Sequence, residues 1–355
     1  MSMMSFLRAF VKKRRKLRFA RKLLVVSWGW LAFKRTGRTP LQAYYAMVYA
    51  FCYTSGRFND WVSALISLGR KIEIRLPVQG VLGSLGQDEV NGIVAELHDK
   101  GYAVFPSIVP ADTCERLMSF ALTTKACVRR MDDEQRSEEL MALYNPDQRP
   151  LAVRYDYRVQ DLLDCEDVQA LLADETLLAV VQKYLNAAPI FDIVTMWWHT
   201  NYHDKPDSQA AQLYHFDLDR IKWLKVFFYL TDVGAGDGPH SFISESHKTN
   251  GIPQDFLKRG YARLGDDDVL QHYGKDREIV FTGPRGTIIL EDTRGLHKGN
   301  VVVPQGNARL ILQFELSNSL FGAELNTGEL RDVKSPALRL AMEKHKKTYE
   351  LYRKS

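Results

Sequence analysis

Gln212-Leu213-Tyr214-His215-Phe216-Asp217 is the stretch from which the second half of this chain is read. In an extended segment side chains two apart share a face, so His215 and Asp217 point the same way and both can reach one metal ion. Short β-type runs surround this stretch from residue 189 onward, at 190–198, 223–231, 277–281, 287–290, 300–303 and 309–316. Clusters of Gly, Pro, Asp and Asn separate them at intervals suited to a sandwich or jelly roll. A polar, partly helical insertion at 251–275 interrupts the strands and is read as a lid over a site.

Upstream the period changes. Residues 88–100 repeat apolar side chains at helical spacing (Val90, Ile93, Val94, Leu97), and Gly101-Tyr102-Ala103-Val104-Phe105-Pro106 reads as a strand stopped by proline. Residues 111–122 form a second helix, and 158–186 are helical again through Leu162, Leu163, Val168, Leu171, Leu172, Leu177, Val180, Val181 and Leu185. Helices first and antiparallel strands later predict an α+β chain with a double-stranded β-helix core, jelly-roll and cupin-like. Flanking helices and a basic N-terminal helical extension complete it. The expected parts are an extension at 1–86, a main domain at 87–325 and a helical tail at 326–355.

The 355 residues, 45% hydrophobic and 26% charged, suffice for one large core with an appendage. Cys52, Cys114, Cys127 and Cys165 lack the close pairing of zinc or redox motifs and read as reduced thiols in a reducing compartment. The net charge of +5 conceals an asymmetry: 13 Lys or Arg precede the first acid, Asp60, and the remainder holds 35 basic and 43 acidic residues, a balance of −8. Lys12-Lys13-Arg14-Arg15-Lys16, with Arg18, Arg21 and Lys22, stands before an apolar run at 23–33. That run is shorter than the about 20 residues a bilayer span needs. Basic residues beside Trp28 and Trp30 suit a helix in an anionic headgroup layer, where each Lys or Arg gains roughly 1 kcal/mol. Packing on the domain is the alternative. A location on the inner, cytoplasmic face of a membrane is expected, with a mitochondrial destination as the other reading of an acid-free, Arg-rich start; no cleavage site of small residues for a secretory signal follows the run. No nucleic-acid-reading motif accompanies the basic cluster, so nucleic acid is not an expected partner.

His297 follows the 287–290 run in Asp292-Thr293-Arg294-Gly295-Leu296-His297, on a different strand from His215 and Asp217. Two imidazoles and one carboxylate suit Fe(II) with positions left open for a bidentate ligand and oxygen. Arg309 opens the last apolar strand, Arg309-Leu310-Ile311-Leu312-Gln313-Phe314, and a guanidinium there needs a carboxylate partner, which one end of 2-oxoglutarate would provide. The same three ligands could hold Zn(II) in a hydrolase, which leaves Arg309 without a role. A binding module without catalysis, recruited to anionic surfaces by its basic start, is the reading from another class. His199 and His203 are read as non-ligands, because the residues before them form a strand and their spacing does not align them. His240 and His247 are read as turn-stabilising, with shaping of the substrate mouth as the alternative, Trp197 and Trp198 as divided between pocket and core, and Asp266-Asp267-Asp268 as a solvated helix cap or lid surface.

Taken together, these residues resemble the phytanoyl-CoA dioxygenase family of Fe(II)- and 2-oxoglutarate-dependent oxygenases over 88–320. The motifs are Gly101 to Pro106, Gln212 to Asp217, Tyr229-Leu230-Thr231-Asp232-Val233 and the loop Gly238-Pro239-His240-Ser241-Phe242-Ile243-Ser244-Glu245-Ser246-His247-Lys248. His297 and Arg309 complete the set. Where relatives carry Pro-Gly-Ser-His, this chain has Ser244-Glu245-Ser246-His247, a departure that touches no expected ligand. The resemblance implies iron ligation by His215, Asp217 and His297, a 2-oxoglutarate anchor in Arg309, an aromatic beside the co-substrate in Tyr229 and a polar neighbour in Gln212. It also implies O2 as co-substrate, with succinate and CO2 released. Relatives that transfer chlorine lack the carboxylate, so Asp217 points to hydroxylation of a C–H bond. The expected substrate is a small molecule or a lipid or glycolipid, the last on the strength of the cationic, aromatic start alone.

Overall fold

The computed structural model describes residues 3–129, 140–208, 210–260, 262–325 and 327–352, with side chains from Arg14 onward. Lys12 and Lys13 of the basic cluster, and residues 326 and 353–355 of the expected tail, therefore lie outside the described side chains or residues.

The chain opens with three helices, α1 (Met3–Thr36), α2 (Leu41–Thr54) and α3 (Arg57–Gly69). Nothing breaks α1 until the Gly37-Arg38-Thr39-Pro40 turn, and Gly29 within it serves a crossing: a Cβ there would stand 2.1 Å from the Ala43 Cβ. Val26, Ala43, Ala46 and Met47 form a small core that also takes in Ile221 and Phe321 from the far end of the chain. Phe51 stacks on Phe216, Asn59 donates to the Ile221 carbonyl at 3.1 Å, and Asn318 donates to Ser63 at 2.8 Å. The extension is thus packed against the second half of the chain through α2 and α3.

A hairpin of β1 (Val78–Gly80) and β2 (Gly83–Leu85) leads to α4 (Gln87–Lys100), β3 (Tyr102–Phe105), α5 (Ala111–Thr123), β4 (Ala126–Arg129), β5 (Met141–Ala142) and β6 (Arg154–Asp156). Next come α6 (Val159–Leu163), α7 (Glu166–Leu172) and α8 (Glu175–Leu185). Asp174 caps α8 by accepting from the amides of Thr176 and Leu177, and Asn186 closes it in the left-handed region, as a short polar side chain can. The later elements are β7 (Ile190–His199), β8 (Trp223–Tyr229), β9 (His240–Ile243), α9 (Gln254–Leu257), α10 (Asp266–Tyr273), β10 (Glu278–Phe281), β11 (Ile288–Glu291), β12 (His297–Gly299), β13 (Arg309–Ser317) and α11 (Pro336–Lys344).

Besides the β1–β2 hairpin, the described residues form two antiparallel sheets, one of eight strands in the order β3-β11-β8-β13-β7-β6-β4-β5 and one of three in the order β10-β9-β12. Period-two alternation decides what each face of the large sheet meets. Leu310, Leu312, Phe314 and Leu316 of β13 join Val194, Met196, Trp198, Val226 and Phe228 in the main core beneath α4 to α8. The opposite face presents Trp197, Phe227, Tyr229, Ile289 and Ile311, which pack on Phe242 and Phe281 of the small sheet. Trp197 and Trp198 accordingly fall on opposite faces.

Three expectations need correction. Residues 300–303 are not a strand: the pairing lies three residues earlier at β12, and Val302 makes only an isolated bridge to Asp237. Asn300 explains this, because its amide donates to the Pro239 carbonyl and to Ser241 and turns the chain out of the ladder. The segment 238–248 contains a strand, β9, paired with both β10 and β12. At 251–275, Ile252, Phe256, Leu257, Leu264 and Val269 are buried against Tyr214, Phe216 and Leu218, so the insertion forms a packed wall behind His215.

Candidate metal centre

His215 and His297 are a backbone-bridged pair, each amide donating to the other's carbonyl at 3.0 and 2.9 Å. Asp217 follows two residues later, its amide bonded to the Thr293 carbonyl at 2.8 Å. Their ligand atoms all lie within 4.8 Å of one another, and this is the one such cluster among the described residues. His215 Nε2 stands 3.9 Å from Asp217 Oδ1, and His297 Nε2 stands 3.4 Å from Asp217 Oδ2. The Nδ1 atoms face carbonyls two residues back, Leu213 for His215 at 2.9 Å and Gly295 for His297 at 3.0 Å. A carbonyl can only accept, so each Nδ1 carries the proton and each Nε2 lone pair is left for a metal.

The electrostatic surroundings of the two imidazoles differ. Burial and the neighbouring His297 push His215 well below the usual histidine range, which keeps it neutral. Against the opposing effect of burial, Asp217 raises His297, while Lys225 and His297 hold Asp217 well below the usual carboxylate range.

The sequence reading missed the charged residues around this triad. Cross-strand register aligns Glu291, Lys225 and Glu315 in one row on β11, β8 and β13. Lys225 Nζ reaches Asp217 Oδ2 at 2.6 Å and Glu315 at 3.5 Å. His240 Nε2 pairs with Glu291 at 2.9 Å, and its ring centroid lies 5.6 Å from that of His297. A signal was present: a charged residue set among apolar ones in each run, Lys225 in β8, Glu291 in β11 and Glu315 in β13.

Arg309 heads β13 and is 1% exposed. Its Nη2 donates to His199 Nδ1 at 2.7 Å, while Nε and Nη1 have no partner. His199 is the register partner of Arg309 on β7, and burial together with Arg309 holds it well below the usual histidine range. It is therefore neutral, accepts at Nδ1, and carries its proton on Nε2, which also lacks a partner. Gly299 adjoins the pair: a Cβ there would come within 3.2 Å of the His199 ring and 3.4 Å of Arg309 Nη2. Three unpartnered buried nitrogens beside a residue without a side chain fit a carboxylate, and the triad's donor set fits Fe(II). Thus His199, read from sequence as a non-ligand, stands beside Arg309 and outside the His215-Asp217-His297 cluster; no spacing could reveal a partner 110 residues away.

Tyr229 is fully buried on β8, its hydroxyl donating to the Phe281 carbonyl at 2.9 Å and accepting from the His240 amide, and Arg309 is among the charges it feels. Gln212 uses its carboxamide oxygen on the Asp207 amide at 2.8 Å and so braces the loop before His215. His203 lies beyond the end of β7 and joins no ligand cluster. His247 contacts the His98 carbonyl at 3.2 Å, as a turn-holding residue does. Asp266 to Asp268 form the first turn of α10, where Asp266 pairs with Lys298 and Asp268 with Arg259.

No family model matches the sequence, and no curated protein is similar to it, so the likeness to phytanoyl-CoA dioxygenases rests on the quoted motifs. Solved structures are similar in arrangement. HygX from Streptomyces hygroscopicus, with nickel and 2-oxoglutarate bound, shares 18% identity over 72% of this chain and 94% of its own, with a TM-score of 0.47. EvdO2 from Micromonospora carbonacea var. aurantiaca, complexed with 2-oxoglutarate, shares 14% over 66% of this chain and 92% of its own, with a TM-score of 0.43. The non-heme alpha ketoglutarate dependent epimerase SnoN from nogalamycin biosynthesis shares 12% over 64% and 83%, with a TM-score of 0.41. These neighbours are iron- or 2-oxoglutarate-linked proteins by their own descriptions, and one of them is an epimerase.

Proposed function

We propose that this chain is an Fe(II)- and 2-oxoglutarate-dependent dioxygenase that hydroxylates a C–H bond of a small-molecule, lipid or glycolipid substrate. The two facing sheets read as a double-stranded β-helix, as in the phytanoyl-CoA dioxygenase family that the motifs resemble. The observation that carries the reading is the pairing of a buried His215-Asp217-His297 cluster with a buried Arg309 whose Nε and Nη1 are unpartnered.

His215, Asp217 and His297 would hold the metal, their imidazoles kept in one tautomer by the Leu213 and Gly295 carbonyls. Arg309 and the Nε2–H of His199 would take the far carboxylate of the co-substrate. Iron, 2-oxoglutarate and dioxygen together supply the oxidation, with succinate and CO2 as by-products and a hydroxyl group left on the substrate. Trp197, Phe227, Ile289 and Ile311 pack between the sheets and would help keep water from the site.

Incubation with Fe(II), 2-oxoglutarate and oxygen should yield succinate above a metal-free control. Asp217→Ala should abolish that coupling; turnover unchanged in this variant refutes the assignment. A substrate product carrying one added oxygen would separate hydroxylation from epimerisation.

A further inference from the structure

Helix α1 is apolar on two faces. Val26, Gly29, Trp30 and Phe33 turn inward toward α2 and Phe321. On the outside, Leu17, Leu24 and Leu31 form one heptad row and Arg14, Arg21, Trp28 and Arg35 form the row beside it, every member exposed. Positions seven apart return to nearly the same side of a helix, and the two rows are offset by three, so they adjoin. Leu24 and Leu31 are each 71% exposed. A second apolar row, Trp61, Leu65 and Leu68, stands exposed on α3, with Arg57 one turn before it. Of the 16 exposed large hydrophobic residues among the described ones, 10 lie between Leu17 and Ile72. Scattered apolar side chains need no explanation, but aligned rows do.

We infer that the outer face of α1, with the exposed row of α3, docks on an anionic lipid bilayer. The arginine row meets lipid phosphates while the leucine row and Trp28 enter the acyl boundary, and α1 lies in the plane of the surface. Charge decides the occupant. A second copy would set one segment of 13 basic residues without an acid before Asp60 against another, so like charges oppose that pairing. Nucleic acid would satisfy the arginines and leave the leucines in water. No helix among the described residues is long and apolar enough to cross a membrane, so the contact is peripheral. Both readings posed by the sequence can then hold together, since one side of α1 packs on protein while the other is exposed.

The test is co-sedimentation of the full chain with phosphatidylcholine vesicles and with mixed phosphatidylcholine–phosphatidylglycerol vesicles. The wild type is expected to bind the anionic vesicles, weakening as salt is raised, and to leave the neutral ones in suspension. Replacing Leu17, Leu24 and Leu31 by Gln should weaken binding roughly 100-fold, and replacing Arg14, Arg21 and Arg35 by Gln should do so by a similar factor. Both variants keep the inward face, so an unchanged melting temperature verifies folding. Absence of wild-type binding to anionic vesicles overturns the inference, as does a leucine variant that binds equally well. A concentration-dependent dimer that the leucine variant dissolves would assign the face to a second copy and overturn it too.

Discussion

Replacing Arg309 by Met isolates the proposed co-substrate anchor from the proposed metal ligands. Nη2 of the guanidinium donates to His199 and the Tyr229 hydroxyl also acts on Arg309, while Nε and Nη1 are left unpaired. Losing that bond costs about 1–3 kcal/mol through the orphaned His199, and removal of a buried, under-paired charge offsets it. Apo stability should therefore change little. Ligand binding should change greatly, because truncating one member of a buried charge pair costs about 2–5 kcal/mol, or two to three orders of magnitude in affinity. The assay is thermal unfolding with Ni(II) in place of Fe(II), which prevents turnover, and 2-oxoglutarate at about 100 times its wild-type Kd. Saturation at that level stabilises the wild type by about 2.7 kcal/mol. With about 2.1 cal/mol/K of unfolding entropy per residue, 355 residues convert this to about 4 °C. A 100-fold weaker variant retains about 0.4 kcal/mol, a shift of about 0.5 °C. An Arg309→Met variant that keeps the full wild-type shift refutes the anchor, and one whose apo form loses more than about 4 kcal/mol shows that Arg309 serves the fold.

Two further outcomes are expected. Asp292 accepts from the buried Arg294 guanidinium at 2.8 Å and from the Tyr184 hydroxyl, so Asp292→Ala should cost about 3–5 kcal/mol in urea unfolding; a loss below about 1 kcal/mol would contradict the pairing. Lys222 lies over the Tyr184 ring at 4.6 Å without an ion pair, and burial, reinforced by Arg294, lowers it to about 8 from an ordinary 10.5. Between those values the unfolded chain binds more protons, so stability should climb as pH rises from about 8 to about 10.5. In Lys222→Met that climb should be reduced, and equal pH profiles for the two proteins in urea unfolding would sink the account.

What the sequence made legible was local. The helices at 87–100 and 175–185 and the strands β7, β8 and β13 show their period in any short window. The His215-Asp217 pair is legible for the same reason, since a spacing of two is a strand's own repeat. The Glu291-Lys225-Glu315 row and the His199-Arg309 contact are long-range products of register, which residue spacing cannot supply. The misplaced strand at 300–303 shows the converse error. Three valines there have strand propensity, yet one asparagine amide satisfied by Pro239 and Ser241 turns the chain first.

The helical extension is bolted to the sheets at points close in sequence to the proposed metal ligands: Asn59 to Ile221, Ser63 to Asn318, and Asp60 to Arg294 at 2.7 Å. Arg294 precedes His297 by three residues, and Ile221 follows Asp217 by four. A tether of loose chain would let a catalytic centre sample every direction above a surface. This mount leaves it one bearing and one height. On a bilayer such a centre would search in two dimensions and select substrates by how deep in the layer their reactive carbon sits, a criterion that no contact inside the pocket has to encode.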